Sequence, residues 1–247
     1  MLTLINADRA ANGLNPVAWD ETLTAAGVQH ADDLVAYSYF SHWGRDGLGP
    51  DHRYSQIGGL HSVMENLHLY TYTYDDGSGA PIENWDEVIH NAQTGLMNSP
   101  GHRVNILDPA HTHVGVGMAY NAATGHFAVA QEFGNQYVTL AQRLPTEAKL
   151  GSTVQIIGRI DAPNIDNVLL DLAYEPFPKP LTLEQLAQTS TYSSSAESVE
   201  TIRIDPQFNE QKTLNVNDQS GIYHIRIFLD LNGEQSLVLD HSIWVQP

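Results

Sequence analysis

Three residues carry the strongest chemical possibilities in this sequence: His42, Glu65 and His102. They stand in three separate stretches, Phe40-Ser41-His42-Trp43-Gly44, Met64-Glu65-Asn66-Leu67 and Asn98-Ser99-Pro100-Gly101-His102-Arg103-Val104-Asn105-Ile106-Leu107. Two neutral imidazoles and a carboxylate suit a zinc-like divalent ion that keeps an open coordination position. The same trio suits general acid–base chemistry. No His-Glu-x-x-His helix is present, so spacing leaves both readings open beside a third, ordinary hydrogen-bonding histidines. Ser41 and Ser99 each lie near a histidine, but no Gly-x-Ser-x-Gly elbow supports a nucleophile. Arg103 would grip a ligand carboxylate or tie its own loop to carbonyl oxygens. Asn105 reads as a turn-holder. His111 and His113, at alternating positions entering a strand, share one side and read as a solvated pair. His30 falls on an inward helix face, as a buried hydrogen-bonder or a neighbour of the trio, and Glu132 near the end of a strand reads either way.

The elements that must position these residues follow from periodicity. Leu2, Leu4 and Ile5 begin an amphipathic helix that Asn12-Gly13 ends. Asp20 caps a second helix reaching to about Tyr37, with Leu23, Ala26, Gly27, His30, Ala31 and Leu34 on one face. Residues 40–60, punctuated by six Gly or Pro residues, read as loop. Residues 65–74 read as extended, and a third helix spans about 82–97. Pro100-Gly101 breaks it, which puts His102 and Arg103 on a loop. Residues 113–120 and 126–133 form a hairpin. Period-two alternation then predicts strands at 153–160, 167–174, 199–204, 212–215, 221–231 and 236–245, a turn at Asn232-Gly233, and a short helix within 182–191. The expected organisation is two domains, 1–142 and 151–247, joined by a linker around Leu144-Pro145-Thr146-Glu147. The fold class is α+β, with strands enough after residue 150 for an immunoglobulin- or fibronectin-like β-sandwich.

Bulk properties narrow the partners. The 247 residues carry a formal charge of −18, which repels phosphate backbones and excludes nucleic acid as a natural partner. With no cysteine, disulfides, thiolate metal sites and cysteine nucleophiles are excluded. No run approaches the roughly 20 apolar residues of a transmembrane segment. The first residues begin in helical register rather than in a secretory signal, consistent with a cytosolic chain or with one that starts after a removed signal or tether.

Six pieces, in order, resemble the bacterial form of the CAP superfamily (SCP/TAPS). They are Asn6-Ala7-Asp8-Arg9 with Gly13-Leu14 and Pro16-Val17; Tyr39-Phe40-Ser41-His42 with Gly44 and Asp46-Gly47; Glu65-Asn66-Leu67; Asn98 to Arg103 with Asn105-Ile106-Leu107; Val114-Gly115-Val116-Gly117; and Ala130-Gln131-Glu132-Phe133-Gly134. The resemblance covers residues 1 to about 135. It implies an α-β-α sandwich with a His/Glu-lined cleft, and a secreted or cell-surface protein whose signal segment is absent from this sequence. Carried over, His42, Glu65 and His102 match three members of a two-His, two-Glu cluster. The fourth would be Glu87 or, as in bacterial members, Ser99, and Leu96 departs from the usual aromatic three residues earlier. The cofactor implied is a divalent metal, zinc first, held by His42 and His102. The partners implied are that metal or a small ligand, and a cell-surface or protein partner for the sandwich. Most such proteins have no established catalysis, so binding is the expected function. The alternatives are a metal-dependent hydrolase, such as a protease, with Glu65 as base, and a lipid or sterol carrier.

Overall fold

The structure is a computed structural model that describes residues 1–163, 165, 167–189, 191–231 and 233–247. Its elements run α1 (Leu2–Ala11), β1 (Ala18–Trp19), α2 (Glu21–Tyr37), α3 (Pro50–Gln56), β2 (Ser62–Thr71), α4 (Trp85–Asn98), α5 (Pro100–Ile106), β3 (His113–Asn121), β4 (His126–Asn135), β5 (Val138–Leu140), β6 (Glu147–Lys149), β7 (Thr153–Ile160), β8 (Val168–Glu175), α6 (Leu183–Leu186), β9 (Glu197–Ile204), β10 (Gln207–Thr213), β11 (Gly221–Leu231) and β12 (Glu234–Gln246). They gather into two compact units drawn from interleaved segments. The first takes Met1–Pro50, Met64–Gly134 and Pro180–Tyr192; the second takes Asp51–Val63, Asn135–Lys179 and Ser193–Pro247. Unit membership therefore crosses the 142–151 stretch in both directions.

The first unit is built on a four-stranded sheet of order β1-β3-β4-β2, which leaves β2 at an edge. Strand alternation divides its side chains. Val114, Val116, Phe127, Val129 and Phe133 pack with Ile5, Val88, Ala92, Leu96 and Ile106 of α1, α4 and α5. Ala119, Ala128, Ala130 and Leu67 pack with Ala31, Leu34 and Val35 of α2. Helices thus cover both faces. Asp20 caps α2 by accepting from Leu23 N at 2.8 Å. Arg9, fully buried, donates to the carbonyls of Asn15, Ile106, Asp108 and His111, fastening α1 to the chain that follows α5.

The second unit has a five-stranded sheet, order β6-β12-β11-β8-β9, and a three-stranded sheet, order β10-β7-β5. Tyr223, Ile225, Ile227 and Leu170 of the larger sheet share one core with Val154, Ile156 and Phe208 of the smaller.

Three sequence expectations are corrected. Residues 40–60 are not all loop, because Pro50 opens α3, its fixed φ and missing N–H suiting a first helical turn. Pro100 likewise opens α5, so His102 and Arg103 stand on a helix rather than a loop. The supposed linker contains β6, which pairs in parallel with β12 through Glu147, Ala148 and Lys149. The turn expected at Asn232-Gly233 falls partly on Asn232, which lies outside the described residues, as does Ser190 within the stretch 182–191 expected to hold a short helix.

One of the closest backbone approaches is between α2 and β3. A Cβ on Gly117 would stand 2.0 Å from the Gly27 carbonyl carbon and 2.1 Å from Val28 N. Gly117→Ala must push the helix off the sheet, and we expect a loss of about 2–3 kcal/mol in urea unfolding; an unchanged midpoint would show that the approach is not required.

Candidate functional site

The edge strand β2 carries the site. Successive residues point to opposite faces, and Glu65 turns towards α2 while Asn66 turns towards α4 and α5. The Glu65 side chain is 1% exposed, and its Oε1 accepts from His42 Nδ1 at 2.8 Å. His30 Nε2 of α2 is 3.9 Å from the same oxygen and bonds the Ser41 carbonyl at 2.9 Å. The His42 loop is held from both sides by the strap 180–192. Ser41 Oγ meets Thr189 Oγ1 at 2.5 Å, and Trp43 packs edge-on against Tyr192 with ring centroids 4.8 Å apart. Thr182 caps α6 within that strap, whose Leu186 is buried in the α2 core.

With Nδ1–H committed to Glu65, His42 presents Nε2 as its lone-pair nitrogen. His102 arrives from α5, partly exposed and close enough to His42 to feel its charge. Burial first, and His42 second, hold the His102 pKa below the ordinary 6.5. His68 is lowered by burial and then by His102, so both rings are neutral at pH 7.

Beneath them a chain of amides runs through the unit. His111 Nε2 donates to Asn105 Oδ1 at 2.8 Å, and Asn105 Nδ2 donates to Asn66 Oδ1 at 2.9 Å. Asn66 Nδ2 donates to Gln131 Oε1 at 3.3 Å and to the His102 carbonyl at 3.1 Å. Gln131 then donates to Gln93 at 2.7 Å, and Gln93 to Asp8 at 2.7 Å. Each amide donates one way and accepts the other, so the chain polarises cooperatively and pins the backbone that carries His102.

The other expected residues take different places. Glu87 is exposed in the first turn of α4; its backbone N–H and its carboxylate both bond the capping Asn84. Ser99 is the half-buried junction between α4 and α5. Arg103 reaches out to Asn12 Oδ1 at 3.2 Å. Asn105 is buried in the amide chain rather than in a surface turn. His111 is also buried, stacked on Phe133 at 5.0 Å, so it does not form a solvated pair with His113.

A second cluster, in the second unit, was not anticipated. His52 of α3, Glu175 at the end of β8 and His224 of β11 bring three ligand atoms within 4.8 Å of one another, as do Asp51, His224 and Asp240. These buried groups could hold a metal ion. Among the described residues, the ligand atoms of His42, Glu65 and His102 are not grouped within that distance. A signal was available in Gly221-Ile222-Tyr223-His224-Ile225-Arg226-Ile227-Phe228, where His224 and Arg226 alternate with core residues and so share one sheet face. Nothing in the sequence brings His52 there. Burial pulls the His52 pKa down, but Asp51 and Glu175 outweigh it and raise it to about 10. Burial likewise opposes Asp240 and Glu175 at His224, which rises to about 9. Glu175, raised by burial and lowered more by His224, His52 and Ser195, ends well below the usual carboxylate range.

Residues 2–133 match the model of the cysteine-rich secretory protein family, CAP, and the chain belongs to that family. It is 31% identical over 117 residues to YkwD, an uncharacterized protein of Bacillus subtilis, covering 47% of this chain and 40% of that protein. It is 31% identical over 135 residues to YlbC, an uncharacterized membrane protein of the same organism, covering 51% and 33%. The chain thus spans less than half the length of these curated relatives. Among solved structures it is similar to an extracellular SCP-domain protein from Bacillus anthracis (25% identity, 53% of this chain, 38% of the other, TM-score 0.42). It is also similar to an outer surface protein of Borrelia burgdorferi (19%, 53%, 87%, TM-score 0.40). No helix among the described residues is long and apolar enough to cross a membrane.

The raised histidines and lowered glutamate fix the sign of a pH dependence. The His52 and His224 contribution is full below pH 6.5 and is lost as pH rises through 9 to 10. The Glu175 contribution is full above 4.5 and is lost as pH falls through its depressed value. In chelator-treated protein, hydrogen exchange of the β11 amides is expected to be slowest near pH 5–6.5 after correction for intrinsic rates, and to accelerate towards pH 10. A flat corrected profile from pH 6.5 to 10 would contradict this.

Proposed function

We propose that this CAP-family protein is a binding module at or outside the cell surface, and that His42 and His102 form its ligand-facing pair. The observation that carries the reading is the bond from His42 Nδ1 to the buried Glu65 carboxylate. A carboxylate behind an imidazole sets its tautomer and makes the outer nitrogen a better donor. His102, neutral at pH 7, supplies a second lone pair. These residues fit a divalent ion of the zinc class held by two imidazoles and completed by water or by a ligand atom. They do not make a closed structural centre, since Glu65 is already engaged. Such an ion would act as a Lewis acid towards a small anionic or carbonyl ligand. His68, Ser99 and the partly exposed rim of α5 would shape the approach, and Asn66 would hold His102 in place. In this reading Glu87 and Arg103 are surface residues, and the second unit is an immunoglobulin- or fibronectin-like spacer or adhesion domain.

A hydrolase would need Glu65 free to take a proton from bound water, and its commitment to His42 argues against that role. A lipid or sterol carrier would need a large apolar groove, whereas the groups gathered here are polar.

The test is calorimetric titration of chelator-treated protein with zinc, beside the His42→Ala/His102→Ala variant. One equivalent should disappear in the variant. Glu65→Gln should retain it with affinity weakened about 10- to 100-fold. Identical zinc binding by the variant and the unsubstituted protein would remove the metal reading of this pair.

A further inference from the structure

The second unit contains a histidine cluster that none of this accounts for, and we propose that His52, Glu175 and His224 form a divalent-metal site of the zinc class, with Asp51 and Asp240 as the carboxylates that orient the two imidazoles. It is independent of the reading of His42 and His102.

The geometry has the parts such a site needs. His52 Nε2 and His224 Nε2 converge on one atom, Glu175 Oε1, the second at 3.2 Å and the first closer. The two rings meet edge-on, with centroids 5.5 Å apart and planes at 74°, so their nitrogens point to a common place instead of stacking. Behind each ring stands a carboxylate on Nδ1: Asp51 at 3.2 Å from His52, Asp240 at 2.8 Å from His224. That is the arrangement that holds metal-ligating histidines in one tautomer with Nε2 facing the ion. The carboxylates are braced in turn. Arg226 Nε donates to Asp240 Oδ2 at 3.1 Å, and Ser195 donates to the other oxygen of Glu175, leaving Oε1 to the two rings. The alternative set, Asp51, His224 and Asp240, would consume the brace on His224 Nδ1, so the two-His, one-Glu set is preferred.

Spacing agrees as well. Ligands about 2.0–2.2 Å from a tetrahedral ion lie about 3.3 Å from one another, which the His224–Glu175 separation already matches; the closer His52 contact opens as an ion enters. Side-chain exposure is 0–6% for the two histidines and three carboxylates.

The deciding experiment uses the unsubstituted chain, labelled with 15N-histidine, treated with chelator and titrated with zinc. Long-range proton–nitrogen spectra read each ring separately, so the two sites are distinguishable. We expect one equivalent of zinc to shift the Nε2 resonances of His52 and His224 while their Nδ1 stays protonated. His224→Gln and Glu175→Gln should each weaken that equivalent at least tenfold with the circular dichroism unchanged. If either substitution prevents folding, the labelled unsubstituted chain still decides. Zinc that binds only at His42 and His102, or no zinc-dependent change at His52 and His224 in the folded protein, overturns the proposal.

Discussion

The candidate site depends on the period of two in a single edge strand. Because neighbouring side chains of β2 face opposite ways, Glu65 and Asn66 work on different sides of the same sheet. Glu65 fixes the tautomer of His42 against α2, and Asn66 fixes the backbone of His102 against α4 and α5. A shift of β2 by one residue would exchange the carboxylate and the amide and dissolve both arrangements. The sheet interior that anchors this strand is itself tight. Gly117 and Gly27 let α2 lie on the backbone of β3, and Arg9 satisfies four carbonyls, that of Asn15 after α1 and those of Ile106, Asp108 and His111 at and beyond the end of α5.

The second unit solves a different problem. One face of its large sheet is an ordinary core of Tyr223, Ile225 and Ile227. The other carries His224 and Arg226, paired across strands with Ser242 and Asp240, and it is also buried. A polar face can be buried only if its groups satisfy one another. His52 and Ser55 from α3 and Ser194 and Ser195 from the segment before β9 supply the partners.

Legibility in the sequence varied with the range of the interactions involved. The helices of residues 2–11 and 21–37 and the strands 153–160 and 221–231 are set by periodicity and caps within a few residues, and they appear where that pattern puts them. Short helices that begin at a proline look like loops in the sequence, since Pro50 and Pro100 serve equally as breakers and as first-turn residues. Residues 144–147 look like a linker by composition, yet their neighbours complete a sheet edge. His111 looks exposed by its polarity, yet Asn105 and Phe133 bury it. Of the site itself, His42, Glu65 and His102 were recognisable from their motifs, whereas the amide chain beneath them was not.

The amino-acid sequence by itself determined the class of the first unit, through motifs in family order, and the period of most elements, because both depend on neighbours along the chain. Tertiary structure alone decided which distant groups meet. It brought the strap 180–192, late in sequence, onto the loop of His42. It brought His52, 123 residues away, to Glu175. Such meetings depend on strand order, register and the burial of polar groups that must find partners, and none of these is expressed in local spacing.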